Sequence, residues 1–135
     1  MKKKNSRCEF ASERSECLLR NFRESIARQS KICLQRTLQE VVDAPAPRFW
    51  VSEARAMRVI SMMLKGEDVL SGMHLSKQEM YKEIYRRVVE MKRRYPEMAL
   101  GDIVFETVNS EAPKSYMTPQ YSAKIMRTTS VGDKV

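Results

Sequence analysis

The stretch Ser76–Arg94 reads SKQEMYKEIYRRVVEMKRR and is the clearest amphipathic segment of the chain. It opens with a capping-box pattern, in which Ser76 is followed three residues later by Glu79. Its apolar residues then recur at steps of four, four and three positions, which is the spacing of one face of an α-helix. These residues are Met80, Ile84, Val88 and Met91. The pattern predicts a helix over residues 77–94.

The same periodicity extends outward in both directions. Residues 11–42 contain no Gly or Pro and carry an apolar stripe that fits either one long helix or two helices with a break near Ser30. Further helices are predicted over residues 53–65, 98–108 and 118–127. No segment alternates between polar and apolar residues as a half-buried strand would. The sequence therefore predicts an all-α fold with five to six helices in a small bundle.

One type of helix connection occurs twice, 66 positions apart. Residues 42–52 read VDAPAPRFWVS and residues 108–118 read VNSEAPKSYMT. Both contain an Ala-Pro turn, a base, an aromatic residue, an apolar residue and a hydroxyl residue suited to capping the next helix. This echo predicts two related helix–turn–helix units, residues 30–65 and 97–127, bridged by the helix over 77–94. The alternative is a generic connection that recurred by chance.

The 135 residues suit a single domain, which we expect over residues 9–127. Residues 1–8 are polar and basic and are predicted to form a flexible tail, and residues 128–135 a frayed one. The basic residues 1–7 are not followed by the apolar core of a signal peptide, and no apolar run is long enough to span a membrane. We therefore expect a cytoplasmic protein that does not enter membranes.

Little in the sequence points to catalysis. The three cysteines Cys8, Cys17 and Cys33 have no zinc-type or disulfide-framework spacing, and His74 is the only histidine. No phosphate-binding glycine motif occurs among the four glycines, and no nucleophile has an evident base beside it. The sequence predicts no metal, no cofactor and no enzymatic activity.

Positive charge is the most informative feature. The chain has 25 Lys and Arg residues against 17 Asp and Glu residues, a net charge of +8. Within the helix over 77–94, Lys82, Arg86 and Arg93 share a face, and Arg87 and Arg94 form a parallel row. Such a face suits several phosphates. The alternative is an ordinary solvated helix with carboxylate partners one turn away.

The repeated connection adds further candidates. Arg48 and Lys114 precede a helix N-terminus, where backbone N–H groups favour anions. Trp50 and Tyr116 are suited to stacking on a base, or alternatively to fixing the entry of the chain into the helix. Two bases of the next helix extend the same candidate surface. They are Arg55 and Arg58.

These observations predict a small basic accessory or regulatory protein that binds nucleic acid, DNA rather than RNA, mainly through the phosphate backbone. The alternative is a structural or protein-interaction module, since Met-rich helix faces also suit an oligomer or the docking of a partner helix. Both interpretations depend on which side chains the fold exposes.

Overall fold

Six α-helices carry the fold, and no strand occurs among residues 10–134, the part of the chain that this computed structural model describes. The helices are α1 (Ala11–Arg28), α2 (Leu34–Asp43), α3 (Glu53–Leu64), α4 (Leu75–Arg94), α5 (Leu100–Val108) and α6 (Pro119–Lys134). The predicted all-α class with five to six helices is confirmed. Within these residues, no helix has both the length and the apolar character that crossing a membrane requires.

The chain divides into two compact units of three helices each. Unit 1 comprises Met1–Ala46 and Pro113–Val135, and it therefore contains α1, α2 and α6. Unit 2 comprises Pro47–Ala112 and contains α3, α4 and α5. In chain order, unit 2 is inserted between the second and the last helix of unit 1. The single domain predicted over residues 9–127 does not distinguish these units.

The core of unit 1 is an apolar cluster to which all three of its helices contribute. Leu18 of α1 and Val41 of α2 are fully buried, and Ile125 and Met126 of α6 are nearly so. Four partly buried side chains pack around them, namely Leu19, Phe22, Leu38 and Met117. An amphipathic helix is stable in water only when its apolar face is covered. In unit 1, a helix from the other end of the chain covers the faces of α1 and α2.

A short connection separates α1 from α2. Gln29 leaves the helical conformation with φ −96° and ψ 133°. Its side-chain amide donates to the Ser25 carbonyl (3.1 Å) and the Thr37 hydroxyl (2.7 Å), and its Oε1 accepts from the Cys33 backbone N–H (3.2 Å). This one side chain joins the end of α1 to the start of α2. Of the two arrangements that the sequence allows for residues 11–42, the chain adopts two helices.

In unit 2, α4 packs against both α3 and α5. The buried residues of α4 are Met80, Tyr81, Ile84 and Val88. Ile60 of α3 and Ile103 and Val104 of α5 are at most 1% exposed and complete this core. The apolar face that the sequence predicts for this helix is confirmed, except that Met91 is only partly buried.

The start of α4 differs from the sequence prediction. The helix begins at Leu75, and the N-cap is His74, whose Nδ1 accepts a hydrogen bond from the backbone N–H of Ser76 (3.1 Å). The predicted capping box from Ser76 to Glu79 is therefore wrong, because Ser76 already lies in the first turn. An imidazole nitrogen here replaces the side-chain oxygen that usually caps a helix.

The last helix begins at Pro119, as predicted, and its N-cap Thr118 accepts a hydrogen bond from the backbone N–H of Tyr121 (3.1 Å). It continues to Lys134, beyond the predicted end at Arg127. Since no proline or glycine follows until residue 132, nothing in the local sequence ends the helix at residue 127.

The two predicted tails have different outcomes. The segment predicted to fray, residues 128–135, is helical as far as residue 134, and the Thr128 hydroxyl donates to the Lys124 carbonyl (2.9 Å). Val135 and the predicted flexible tail over residues 1–8 lie outside the described residues.

Candidate nucleic-acid interface

Nine of the eleven predicted contact residues belong to unit 2. They are Arg48, Trp50, Arg55, Arg58, Lys82, Arg86, Arg87, Arg93 and Arg94. Lys114 and Tyr116 belong to unit 1. The predicted contact residues are therefore divided between the two units.

The outer face of α4 carries three exposed bases. Lys82, Arg86 and Arg93 lie on the side of the helix opposite Ile84 and Val88, which are fully buried. The side chains of Arg86 and Arg93 are 67% and 72% exposed. The fold thus presents to solvent the face that the periodicity predicts.

Two carboxylates on α4 partly neutralise these bases. Glu83 accepts hydrogen bonds from Arg86 Nη2 and Arg87 Nε, both at 2.7 Å. Glu90 accepts from Arg93 at 2.8 Å. The hydrogen bond from Arg86 lowers the pKa of the Glu83 carboxyl, and that from Arg93 lowers the pKa of the Glu90 carboxyl. Since Arg94 also lies 3.9 Å from Glu90, two acids serve four arginines, and α4 keeps an excess of positive charge.

Other exposed bases of unit 2 have no carboxylate partner within the described residues. Lys82 of α4 and Arg55 and Arg58 of α3 form no ion pair there. Lys65, which is not among the predicted contact residues, is also exposed and forms no ion pair within that range. It follows Arg58 by seven positions, about two helical turns. The two bases therefore lie on the same side of α3, and this spacing is the signal that identifies Lys65 from the sequence.

Two surface cavities show how α3 meets α4. In one, of about 470 Å³, Lys82 lies beside Met63 and Gly66 at the end of α3. In the other, of about 400 Å³, Arg93 lies beside Leu64. The C-terminal end of α3 therefore adjoins the side of α4 that carries Lys82 and Arg93. Lys65, between Leu64 and Gly66, lies at this same end of α3, whereas Arg55 and Arg58 lie in the first half of the helix.

Arg48 and Trp50 are not part of this exposed surface. Arg48 is 8% exposed, and its guanidinium donates to the backbone carbonyls of Phe49 (3.0 Å) and Val51 (2.6 Å). Trp50 is 7% exposed. Both side chains therefore stabilise the connection before α3. For Trp50 this is the predicted alternative, in which the aromatic ring fixes the entry of the chain into the helix.

Arg87 also has a structural position. Its guanidinium lies 5.0 Å from the centre of the Phe49 ring and donates to the Ser110 hydroxyl (3.1 Å) and the Glu111 carbonyl (2.9 Å). Together with the bond to Glu83, these contacts leave its side chain 27% exposed. Arg87 therefore joins α4 to the segment after α5.

In unit 1, the Lys114 ammonium lies 5.6 Å from the centre of the Tyr116 ring. Tyr116 has φ +54°, a left-handed conformation that non-glycine residues seldom adopt. Both side chains are partly buried. The cation–π contact holds the base against the aromatic ring at the start of α6.

The residues with catalytic potential are dispersed. No group of three or more His, Cys, Asp or Glu side chains suited to a metal ion occurs in the described part of the chain. His74 caps α4, and Asp68 accepts from the backbone N–H of Ser71 (3.3 Å). Cys17 is buried, which raises the pKa of its thiol, and Cys33 is exposed.

Comparison of the chain with family models, curated proteins and solved structures found no match.

Proposed function

We propose that this protein is an accessory or regulatory factor that binds nucleic acid, mainly through the phosphate backbone. The observation that supports it is the exposed basic face of α4, formed by Lys82, Arg86 and Arg93, with exposed bases of α3 in the same unit. The proposed contact residues are Arg55, Arg58, Lys65, Lys82, Arg86 and Arg93. Arg48, Trp50 and Arg87 stabilise the scaffold behind this surface.

The physical basis of the proposal is counterion release. Each phosphate that a Lys or Arg neutralises releases condensed cations, so the logarithm of affinity falls by roughly 0.9 per contact for each tenfold rise in salt. Phosphate contacts position a protein without reading the base sequence. A binding site made only of flexible exposed bases is therefore expected to be strongly salt-dependent and weakly sequence-specific.

The test is a fluorescence-anisotropy titration of the full chain with duplex DNA, single-stranded DNA and an RNA duplex at two salt concentrations. The decisive variant combines Lys82→Gln, Arg86→Gln and Arg93→Gln. We expect at least a tenfold loss of affinity for duplex DNA, together with a salt slope smaller by up to about three units. We also expect DNA to bind more tightly than RNA.

The matched control removes the same charge from unit 1. Its substitutions are Arg20→Gln, Arg23→Gln and Lys124→Gln, all at exposed positions. We expect less than a threefold change in affinity from this control. Equal weakening by the two triple variants, or no binding by the wild-type chain at low salt, would overturn the proposal.

A specific observation favours self-association as a second candidate. The 400 Å³ groove of unit 2 is lined by apolar side chains, among them the exposed Leu64 and Val89, and Arg93 lies at its edge. The outer face of α5 offers complementary chemistry, because Phe105 is 52% exposed between the exposed acids Asp102 and Glu106. A second copy of the chain could therefore place α5 in this groove.

Light scattering over a range of concentrations tests this second candidate. A dimer that Phe105→Ser reduces to a monomer would support it. A monomer at every concentration would exclude it. Because Phe105→Ser leaves all the proposed phosphate contacts unchanged, we expect this variant to bind duplex DNA as the wild type does, which distinguishes the two candidates.

A further inference from the structure

Two backbone hydrogen bonds, one in each unit, occupy matching positions. In unit 2, the Phe49 N–H donates to the Val108 carbonyl at 2.9 Å, and in unit 1, the Ser115 N–H donates to the Val42 carbonyl at 2.9 Å. Ser115 follows Phe49 by 66 positions, and Val108 follows Val42 by the same 66. Each bond joins the residues before a unit's third helix to the end of its shorter helix.

The boundaries of the helices show the same offset of 66 positions. The ends of α1 and α4, at Arg28 and Arg94, are 66 positions apart. So are the first residues of α2 and α5, Leu34 and Leu100, and those of α3 and α6, Glu53 and Pro119. The correspondence therefore includes the two long helices, α1 and α4, which the echo in the sequence does not reach.

Burial follows the offset too. Residues 66 positions apart are buried in both units at nine positions. The pairs are Leu18 with Ile84, Thr37 with Ile103, Val41 with Thr107, Val42 with Val108, Ala46 with Ala112, Phe49 with Ser115, Ala56 with Ser122, Val59 with Ile125, and Ile60 with Met126. Few of these pairs are identical, so the match is one of position and packing rather than of residue type.

The grouping of helices into units does not follow chain order. Counted along the chain, the first set of three helices is α1, α2 and α3, and the second is α4, α5 and α6. Unit 1 contains α1, α2 and the third helix of the second set, whereas unit 2 contains α4, α5 and the third helix of the first set. Each pair of helices therefore packs with the third helix of the other set.

We infer that the chain is an internal duplication of a three-helix repeat, residues 11–64 and 77–130, whose copies have exchanged their third helices. The first two helices of each repeat thus form a docking surface, and its occupant is the third helix of the other repeat. The helix over 77–94 is then the counterpart of α1 rather than a bridge between the repeats. This inference does not depend on the proposed binding of nucleic acid.

Cutting the full chain between the repeats tests the exchange. A protease site placed in the exposed loop over residues 66–72 allows cleavage in native buffer. Because each unit requires helices from both fragments, we expect the fragments to elute together at the size of the intact chain and to separate only in denaturant. Fragments that separate in native buffer while keeping their helical circular dichroism would overturn the exchange.

A cross-link supplies a second, independent readout. The Arg14 guanidinium of α1 lies 5.9 Å from the centre of the Tyr121 ring of α6. In a chain whose native cysteines are replaced, Arg14→Cys with Tyr121→Cys should be joined by a short bismaleimide, and the link should hold the two cleaved fragments together on a denaturing gel. Arg14→Cys alone and Tyr121→Cys alone, which offer the reagent one cysteine each, serve as the controls.

The duplication itself is tested by interchanging the two third helices. In this variant, residues 53–64 and 119–130 exchange places within the full chain. If the repeats are equivalent, we expect the variant to remain helical and to unfold cooperatively, at a lower temperature than the wild type. Loss of cooperative unfolding would overturn the duplication, and the cleavage experiment would still decide the exchange.

Discussion

The joint between the longer and the shorter helix is built differently in the two units. In unit 1 it is polar, because the buried Ser25 hydroxyl donates to Glu40 (2.6 Å) and Gln29 donates to the buried Thr37 (2.7 Å). The bond from Ser25 lowers the pKa of the Glu40 carboxyl. At the positions 66 residues later, unit 2 has mainly apolar groups. They are Met91, Tyr95, Ile103 and Glu106. Unit 2 thus buries the apolar Ile103 where unit 1 buries the hydrogen-bonded Thr37.

The outer faces of the long helices differ as well. The exposed bases Lys82, Arg86 and Arg93 of α4 correspond to Glu16, Arg20 and Ala27 of α1, all of which are exposed. Helix α4 carries seven bases and three acids, whereas α1 carries four bases and three acids. Surface charge therefore varies independently of the core. For this reason the proposed interface belongs to one unit.

The largest expected effect is at two matching core positions. Leu18 and Ile84 are fully buried, so Leu18→Ala and Ile84→Ala should each lower the free energy of unfolding by about 3 kcal/mol. Urea unfolding followed by circular dichroism measures both. Val89→Ala, at a position 41% exposed, is the control and should cost well under 1 kcal/mol. A loss below about 1 kcal/mol at either core site would break the parallel between the units.

The next effect distinguishes the polar joint from the apolar one. Thr37→Val keeps the shape of the side chain but removes the hydrogen bond that Thr37 accepts from Gln29 and the one that it donates to the Cys33 carbonyl. At about 1 kcal/mol for each bond, it should cost about 2 kcal/mol. The matching change in unit 2, Ile103→Val, removes one buried methylene and should cost about 1 kcal/mol. Thermal unfolding compares the two variants. The reverse order would contradict the assignment of a polar joint to unit 1.

A smaller effect concerns the N-caps of the third helices. Ser52 accepts from the backbone N–H of Arg55, and Thr118 accepts from that of Tyr121, both at 3.1 Å. Ser52→Ala and Thr118→Ala should therefore each destabilise by about 1 kcal/mol in urea unfolding. An unequal pair, with one substitution neutral, would show that one helix does not need its cap.

The smallest effect is the pH dependence of the Glu83 ion pairs. Because its hydrogen bonds lower the pKa of Glu83 in the folded state, the ionised carboxyl stabilises the fold above the unfolded pKa, about 4.3. This stabilisation is lost as the pH falls through the folded pKa. Glu83→Gln should thus cost about 0.5 kcal/mol at neutral pH and less at acid pH. Urea unfolding at several pH values checks the trend, and a cost that is independent of pH would contradict it.

Local sequence predicted the helices well where apolar periodicity and helix signals coincide. The apolar face of α4, the start of α6 at Pro119 and the exposed face with Lys82 were all predicted from spacing. The roles of Arg48 and Arg87 were not predicted. These side chains donate to the carbonyls of Val51 and Glu111, and the positions of those carbonyls depend on turns that helical spacing does not describe. Likewise, the end of α1 depends on Gln29, whose side chain bonds across a turn with no proline or glycine.

The sequence by itself determined which segments are helical and which face of each helix is apolar, since both follow from the 3.6-residue period and the burial of apolar surface. Only the tertiary structure decided which helix covers which face. The apolar surfaces of α3 and α6 are similar in kind, and the hydrophobic effect that buries them has no direction. Helix α3 belongs to unit 2 and α6 to unit 1 because the connections at residues 44–52 and 110–118 set the direction in which the chain enters each helix.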